Sequence, residues 1–220
     1  MALLIKRFIT NPIEENTYLV WDSETKESGL IDCGCFSEEE WLKIQHFIDN
    51  NELTLKQLWC THAHFDHILG MGFAEHKYGV KSKCPVSDVP LWFKVEEQVV
   101  LFMGGFAAKH VEGLRLMTSP KSIAEGDELN IGQYKFEVIG TPGHSQGSVC
   151  FYCKQENLLF SGDTLFQGSV GRTDLEGGSY PALIRSLQEK ILTLPPQTRV
   201  LSGHGGETTI DYELKFNPYV

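Results

Sequence analysis

Apolar residues recur along this chain with two different periods. Residues 2–9, 17–22 and 28–32 are short apolar runs broken by turn formers such as Asn11-Pro12, which predicts antiparallel strands. The period then changes. Trp41, Ile44, Phe47 and Ile48 recur at helical spacing behind Ser37 and Glu40, a capping-box pair, so an amphipathic helix is predicted over 37–50. There follow a strand at 55–61, helices over 68–78 and 87–103, and strands at about 129–131, 134–140, 147–153 and 157–161. A helix over 180–193, ended by Pro195-Pro196, precedes a strand at 198–202. No fixed-period repeat, low-complexity run or Gly/Ser-rich linker divides the pattern, which reads as one mixed α/β domain over 1–220.

The densest chemistry follows the strand predicted at 55–61, in Thr61-His-Ala-His-Phe-Asp-His67. In extended chain alternate residues share a side, so His62, His64 and Asp66 are expected to converge while His67 points elsewhere, which suits two adjacent metals. Imidazole and carboxylate donors without cysteine suit zinc first, then iron or manganese. His144, Asp163 and His204 each sit just past a strand-like run, where α/β folds gather their ligand sites, and a glycine precedes each. Taken singly, any of the three reads as an ordinary turn residue. Four metal-competent side chains within six residues change that balance, because burying them together without a cation is costly. His46, His76 and His110 lack such context and read as surface or packing residues.

Composition narrows the functional classes. A net charge of −10 with no basic cluster argues against a nucleic-acid partner. No apolar stretch approaches the ~18 residues of a membrane span, and the opening Met1-Ala-Leu-Leu-Ile-Lys6-Arg7 reads as a strand rather than a signal peptide; the expectation is a soluble, cytoplasmic enzyme. The six cysteines are scattered within apolar segments and read as buried thiols. Cys150 and Cys153 form a CxxC, but on a strand they face opposite ways, which disfavours a redox role.

Taken together, Thr61 to His67, Thr141-Pro-Gly-His144, Gly162-Asp-Thr-Leu-Phe166 and Ser202-Gly-His204 resemble the metallo-β-lactamase superfamily and, within it, the glyoxalase II-like hydrolases. The resemblance spans nearly the whole chain. It implies an αββα sandwich with metals at one edge, one metal taking His62, His64 and His144, the other Asp66, His67 and His204, and Asp163 bridging them. β-Lactamases of the family place Cys or Ser where Asp163 stands, which disfavours antibiotic hydrolysis, and flavodiiron relatives carry Glu where this chain has His64. A thioester also suits a site without an evident general acid, since a thiol of pKa about 8.5 leaves unaided as thiolate. The expected activity is therefore that of a hydroxyacylglutathione hydrolase (glyoxalase II-type thioesterase), with water activated between two divalent metals, zinc first, and oriented by Asp66.

Two other readings stay open. Gly171-Arg-Thr-Asp174 resembles a segment of the persulfide dioxygenases, which share the fold and use one iron, and the chain could also be an inactive metal-binding module acting through a partner. The C-terminal helical domain that supplies glutathione-binding basic residues in larger glyoxalase II enzymes has no counterpart after His204 in this sequence. Arg172, with Asp174 beside it, is the candidate substrate-binding pair: Arg172 could hold a carboxylate, or pair within its own loop with Asp174 or Glu176. Residues 87–117, with Trp92, Phe93, Phe102, Met103 and Phe106, could cover the substrate or pack as a plain helical insertion.

Overall fold

The computed structural model describes residues 2–220. The first sheet runs in sequence order: β1 (Leu3–Thr10), β2 (Glu15–Asp22), β3 (Glu27–Ile31), β4 (Thr54–Trp59), β5 (Lys83–Pro85) and β6 (Lys121–Ile123). Its first three strands are antiparallel, and β3 to β6 are joined by parallel pairings. The second sheet is built from β7 (Glu128–Ile131), β8 (Tyr134–Gly140), β9 (Val149–Cys153) and β10 (Leu158–Gly162), then β13 (Arg199–Ser202) and β14 (Thr208–Thr209). A small hairpin, β11 (Leu165–Phe166) and β12 (Ser169–Val170), follows Asp163.

Alternation along the strands sorts the core into layers. Tyr18, Val20, Ile31 and Trp59 of the first sheet meet Phe136, Val138, Phe151, Phe160 and Leu201 of the second. Their immediate neighbours Leu19, Leu30 and Leu58 face outward against α1 (Glu38–Asn50), α3 (Met71–Tyr78) and α5 (Val95–Met103). On the far side Ile139, Cys150, Leu159 and Val200 meet α8 (Tyr180–Ser186), which runs on in a widened turn to Ile191, and Ile210 at the start of α9 (Ile210–Phe216). The period of two thus produces the αββα sandwich. Cys150 and Cys153 fall in different layers, as their spacing requires.

Several boundaries differ from expectation for identifiable reasons. Ser37 caps α1 by accepting from the Glu40 N–H at 3.3 Å, but the Glu40 carboxylate turns away to the Phe36 and Asn11 N–H groups, so only half of the capping box forms. The helix expected over 68–78 is split into α2 (Phe65–Ile68) and α3, because the Gly70 N–H donates 2.8 Å to the Cys33 carbonyl instead of continuing the ladder. A side chain at Gly70 would strike Cys33 and Cys35. The helix over 87–103 breaks into α4 (Val89–Trp92) and α5, and the insertion continues through α6 (Gly105–His110) and α7 (Glu112–Leu116). Strands β5, β6, β11, β12 and β14 are two or three residues long and carry no readable period. Among the described residues no helix is long and apolar enough to cross a membrane.

Phe160 ties the two sheets, meeting Tyr18 edge-on with ring centroids 5.2 Å apart and Phe136 at 6.2 Å. Phe160→Ala should lower unfolding free energy by about 3–5 kcal/mol, read from the midpoint of a urea titration. A loss under about 1 kcal/mol would mean that the sheets are not joined through this ring.

Candidate metal centre

Four strand ends on one edge of the sandwich deliver the candidate ligands. The loop after β4 carries His62 and His64, and α2 carries Asp66 and His67; His144 follows β8, Asp163 follows β10 and His204 follows β13. Two of the preceding glycines are needed for different reasons. Gly162 has φ +49°, in the left-handed region, and a Cβ there would strike Thr61. Gly203 is needed for space, since a Cβ would lie 2.3 Å from Asp163 Oδ1 and 2.6 Å from His67 Cε1.

All seven predicted side chains come together, in two groups. His64 Nδ1 lies 2.8 Å from His144 Nε2, which lies 3.2 Å from His62 Nε2. In the second group Asp66 Oδ2 stands 3.2 Å from His204 Nε2 and 3.4 Å from His67 Nε2. Asp163 reaches both, with Oδ1 3.3 Å from His67 Nε2 and Oδ2 3.5 Å from His144 Nε2. The expectation that Asp66 would side with His62 and His64 is corrected: the chain turns helical at Phe65, so strand alternation stops and Asp66 joins His67 and His204.

Outer partners fix the rings. His67 Nδ1 meets Asp32 Oδ2 at 2.9 Å, His62 Nδ1 the Thr61 hydroxyl at 3.0 Å, His144 Nδ1 the Arg172 carbonyl at 2.7 Å, and His204 Nδ1 the Ile13 carbonyl at 3.1 Å. A ring whose outer N–H donates to oxygen keeps its inner lone pair free, which is how metal-ligating histidines are usually held. Asp32 also accepts from the Thr61 N–H and hydroxyl, and Asp88 accepts from the Ala63 N–H, the Gly147 N–H and the Ser145 hydroxyl, binding the two histidine loops together. Gln98 of α5 accepts from the Phe65 N–H and donates to the Ala63 carbonyl.

The electrostatics call for a cation. Burial and the neighbouring imidazoles push His62 well below the usual histidine range, and burial with His144 lowers His64 to about 4, so both are neutral donors near pH 7. Burial opposes a charge on His67, but Asp66, Asp163 and Asp32 together raise its pKa well above the ordinary value, which marks the spot as one that wants positive charge. His67 Nε2 and Asp163 Oδ1 are buried without a hydrogen-bond partner. Tetrahedral zinc with nitrogens at about 2.0–2.1 Å sets its donors about 3.3 Å apart, close to the separations seen here. Orphaned donors, neutral imidazoles and this spacing together fit a divalent metal.

Sequence reasoning missed Asp32, Asp88, Gln98 and Glu15. Asp32 ends β3 in a left-handed conformation (φ +57°), the same after-strand placement that singled out Asp163, and could have been found that way. The others carry no local signal. Arg172 lines the cleft beside the donors, with its guanidinium held by Asp174 at 2.7 and 2.8 Å, and Asp174 is exposed. His46, His76 and His110 are exposed and remote from the group.

Residues 10–204 match the model of the metallo-beta-lactamase superfamily. Over 218 residues the chain is 38% identical to a Bacillus subtilis (strain 168) protein, probable metallo-hydrolase YqgX, covering 98% of this chain and 96% of that one. It is 30% identical to hydroxyacylglutathione hydrolase GloC of Haemophilus influenzae, covering 94% and 93%. Among solved structures it superposes on BLEG-1 B3 metallo-beta-lactamase with a TM-score of 0.84 at 34% identity, covering 98% and 99%. The di-iron-bound form of TTHA1623 gives 0.81 at 34%, covering 98% and 100%, and ETHE1 from Myxococcus xanthus 0.78 at 26%, covering 98% and 83%.

Glu15 lies behind this site, accepting from the Thr10 and Thr17 hydroxyls at 2.6 and 2.7 Å, with its other oxygen unpartnered. Burial, which His67 and the two hydroxyls only partly offset, pushes its carboxyl from 4.5 up to about 8. The folded protein therefore keeps this proton while the unfolded chain has lost it, so the group's contribution to stability falls as pH rises from about 4.5 to 8. Glu15→Gln should flatten the decline in Tm between pH 5 and 8, followed by thermal melts. A variant that tracks wild type at every pH would show the carboxyl to be ionised in the fold.

Proposed function

The chain belongs to the metallo-β-lactamase superfamily, and from that membership and its donor set we propose that it is a two-metal hydrolase acting on thioesters. The observation that carries this reading is Asp163, whose two oxygens face different donor groups. His62, His64 and His144 would hold one metal, Asp66, His67 and His204 the other, and Asp163 both. When bound, the metals would polarise the scissile carbonyl and lower the pKa of water in their shell from 15.7 to about 7.

The chain's own groups define what can react. Asp66 and Asp163 are the carboxylates on the cleft wall, and Asp66 is placed to orient the attacking water by accepting its hydrogen bond. Water adds to the thioester carbonyl and the C–S bond breaks, giving a carboxylic acid and a thiol. Among the described residues the cleft wall presents no Lys, Tyr or Cys to protonate a departing amine, and a thiolate leaves without that help. The likeness to GloC supports the same choice.

Two observations favour other chemistries and set the controls. Gly171-Arg-Thr-Asp174, which resembles a segment of the persulfide dioxygenases, favours a mononuclear iron dioxygenase, and the likeness to BLEG-1 B3 metallo-beta-lactamase favours β-lactam hydrolysis. Purified enzyme should contain close to two metals, should hydrolyse S-lactoylglutathione or a simpler thioester, and should take up no oxygen with glutathione persulfide. One iron with oxygen uptake would replace this reading, as would a chromogenic cephalosporin turned over faster than every thioester.

Asp163→Ala should lower occupancy of both metals by elemental analysis. Retention of full metal content and activity would break the shared-site model. Asp66→Ala should keep its far-ultraviolet circular dichroism while kcat falls at least about a thousandfold, roughly 4 kcal/mol. A variant that stays active with one metal would point to the dioxygenase.

A further inference from the structure

The cleft above the donors has walls poorly suited to an anionic substrate. It encloses about 500 Å³ and is lined by Phe65, Phe102 and Met103 from α2 and α5, and by Phe166, Val170 and Leu175 from the β11–β12 hairpin and the loop after it. Phe102, delivered by α5, stacks on Phe65 with ring centroids 5.4 Å apart and planes 11° from parallel. Phe65 directly precedes Asp66, so the apolar wall begins beside the reacting centre. Phe102 is nevertheless 43% exposed, an aromatic face that would gain by being covered with apolar surface.

Cationic side chains at this cleft are already engaged. Arg172 is its lining Lys or Arg, and both Nε and one terminal nitrogen donate to Asp174. Lys94, which reaches the same loop, is paired with Glu176 at 2.7 Å. A glutathionyl group would bring two carboxylates to a cleft that has, among the described residues, no unpaired Lys or Arg, on a chain of net charge −10.

Resting on the thioesterase reading, we propose that the substrate carries an uncharged apolar acyl chain of several carbons, seated against the apolar lining of the cleft, with Phe102 and Met103 setting the preferred length. The carbonyl then sits at the donors and the chain runs along the stacked rings. Each methylene buried adds to binding, so recognition grows with length until the cleft is filled.

The test is kcat/KM of the metal-loaded enzyme on acetyl, butanoyl, hexanoyl and octanoyl thioesters of N-acetylcysteamine, an uncharged short thiol, beside S-lactoylglutathione. The expected profile rises at least about thirtyfold from acetyl to octanoyl, with the glutathione thioester below the longer chains. Phe102→Ala should cut the octanoyl-to-acetyl ratio about tenfold, whereas Phe93→Ala, in a separate hollow with Glu96 and Leu101, should leave the wild-type profile. A flat profile, or a preference for S-lactoylglutathione over every apolar chain, overturns the proposal and leaves the thioesterase reading standing. If no thioester is hydrolysed, that reading fails by itself. The cleft is then judged by calorimetry with the octyl and ethyl thioethers of N-acetylcysteamine: tighter octyl binding, at least about tenfold and weakened by Phe102→Ala, upholds the apolar site, and equal binding refutes it.

Discussion

Three imidazoles aimed at one buried point repel each other unless something positive lies between them. His62, His64 and His144 are in that position, with ring nitrogens 2.8 and 3.2 Å apart, and the two carboxylates of the second group lean on His67 from the other side. For His62 and His144 the inner lone pair is kept free by an oxygen outside the ring, the Thr61 hydroxyl and the Arg172 carbonyl, which decides the tautomer before any ligand arrives. The centre is therefore prepared at the expense of local stability, and a cation would recover what the desolvated donors lose.

That preparation depends on fastenings between distant parts of the chain. Asp32 holds Thr61 and His67 together, so the first motif is fixed at both ends from β3. Asp88 does the same between the 62–64 and 144–147 loops. The β1–β2 hairpin braces the last ligand: Asn16 donates to the Ser202 and Gly205 carbonyls, Tyr18 donates to Ser202, and the Ile13 carbonyl meets His204. Donors on loops gain the rigidity of strands because each loop is held by side chains from another element.

How much of this could be read in the sequence follows from the range of each signal. Strand alternation is local and repeated, so Tyr18-Leu19-Val20 and Leu159-Phe160 displayed the two faces that pack in the sandwich. The seven donors were legible because four sit within six residues and the others repeat one after-strand placement. Strand alternation alone put Asp66 with His62 and His64 because it was carried one turn too far, into a segment where α2 has already begun; the family resemblance implied the grouping with His67 and His204 that the fold shows. Asp88 and Gln98 left no trace, since a buried carboxylate or amide takes its meaning from backbone N–H groups brought to it by tertiary folding. Helix α9 was hidden because Tyr212, Leu214 and Phe216 are exposed while Glu213 is buried, which inverts the usual amphipathic pattern.

The cleft wall and the spacing of the donors are connected through one helix. Gln98 bonds the backbone on both sides of His64, at Ala63 and Phe65, and one turn further along the same helix Phe102 enters the cleft. A group that settles against Phe102 therefore bears on the helix that holds the first metal-binding loop. Gln98 and Phe102 stand one helical turn apart on α5, so a displacement of that turn would be felt at the bonds to Ala63 and Phe65. Through Gln98 the backbone on both sides of His64 is thus tied to the helix that carries Phe102 into the cleft, so the wall and the donors share one support.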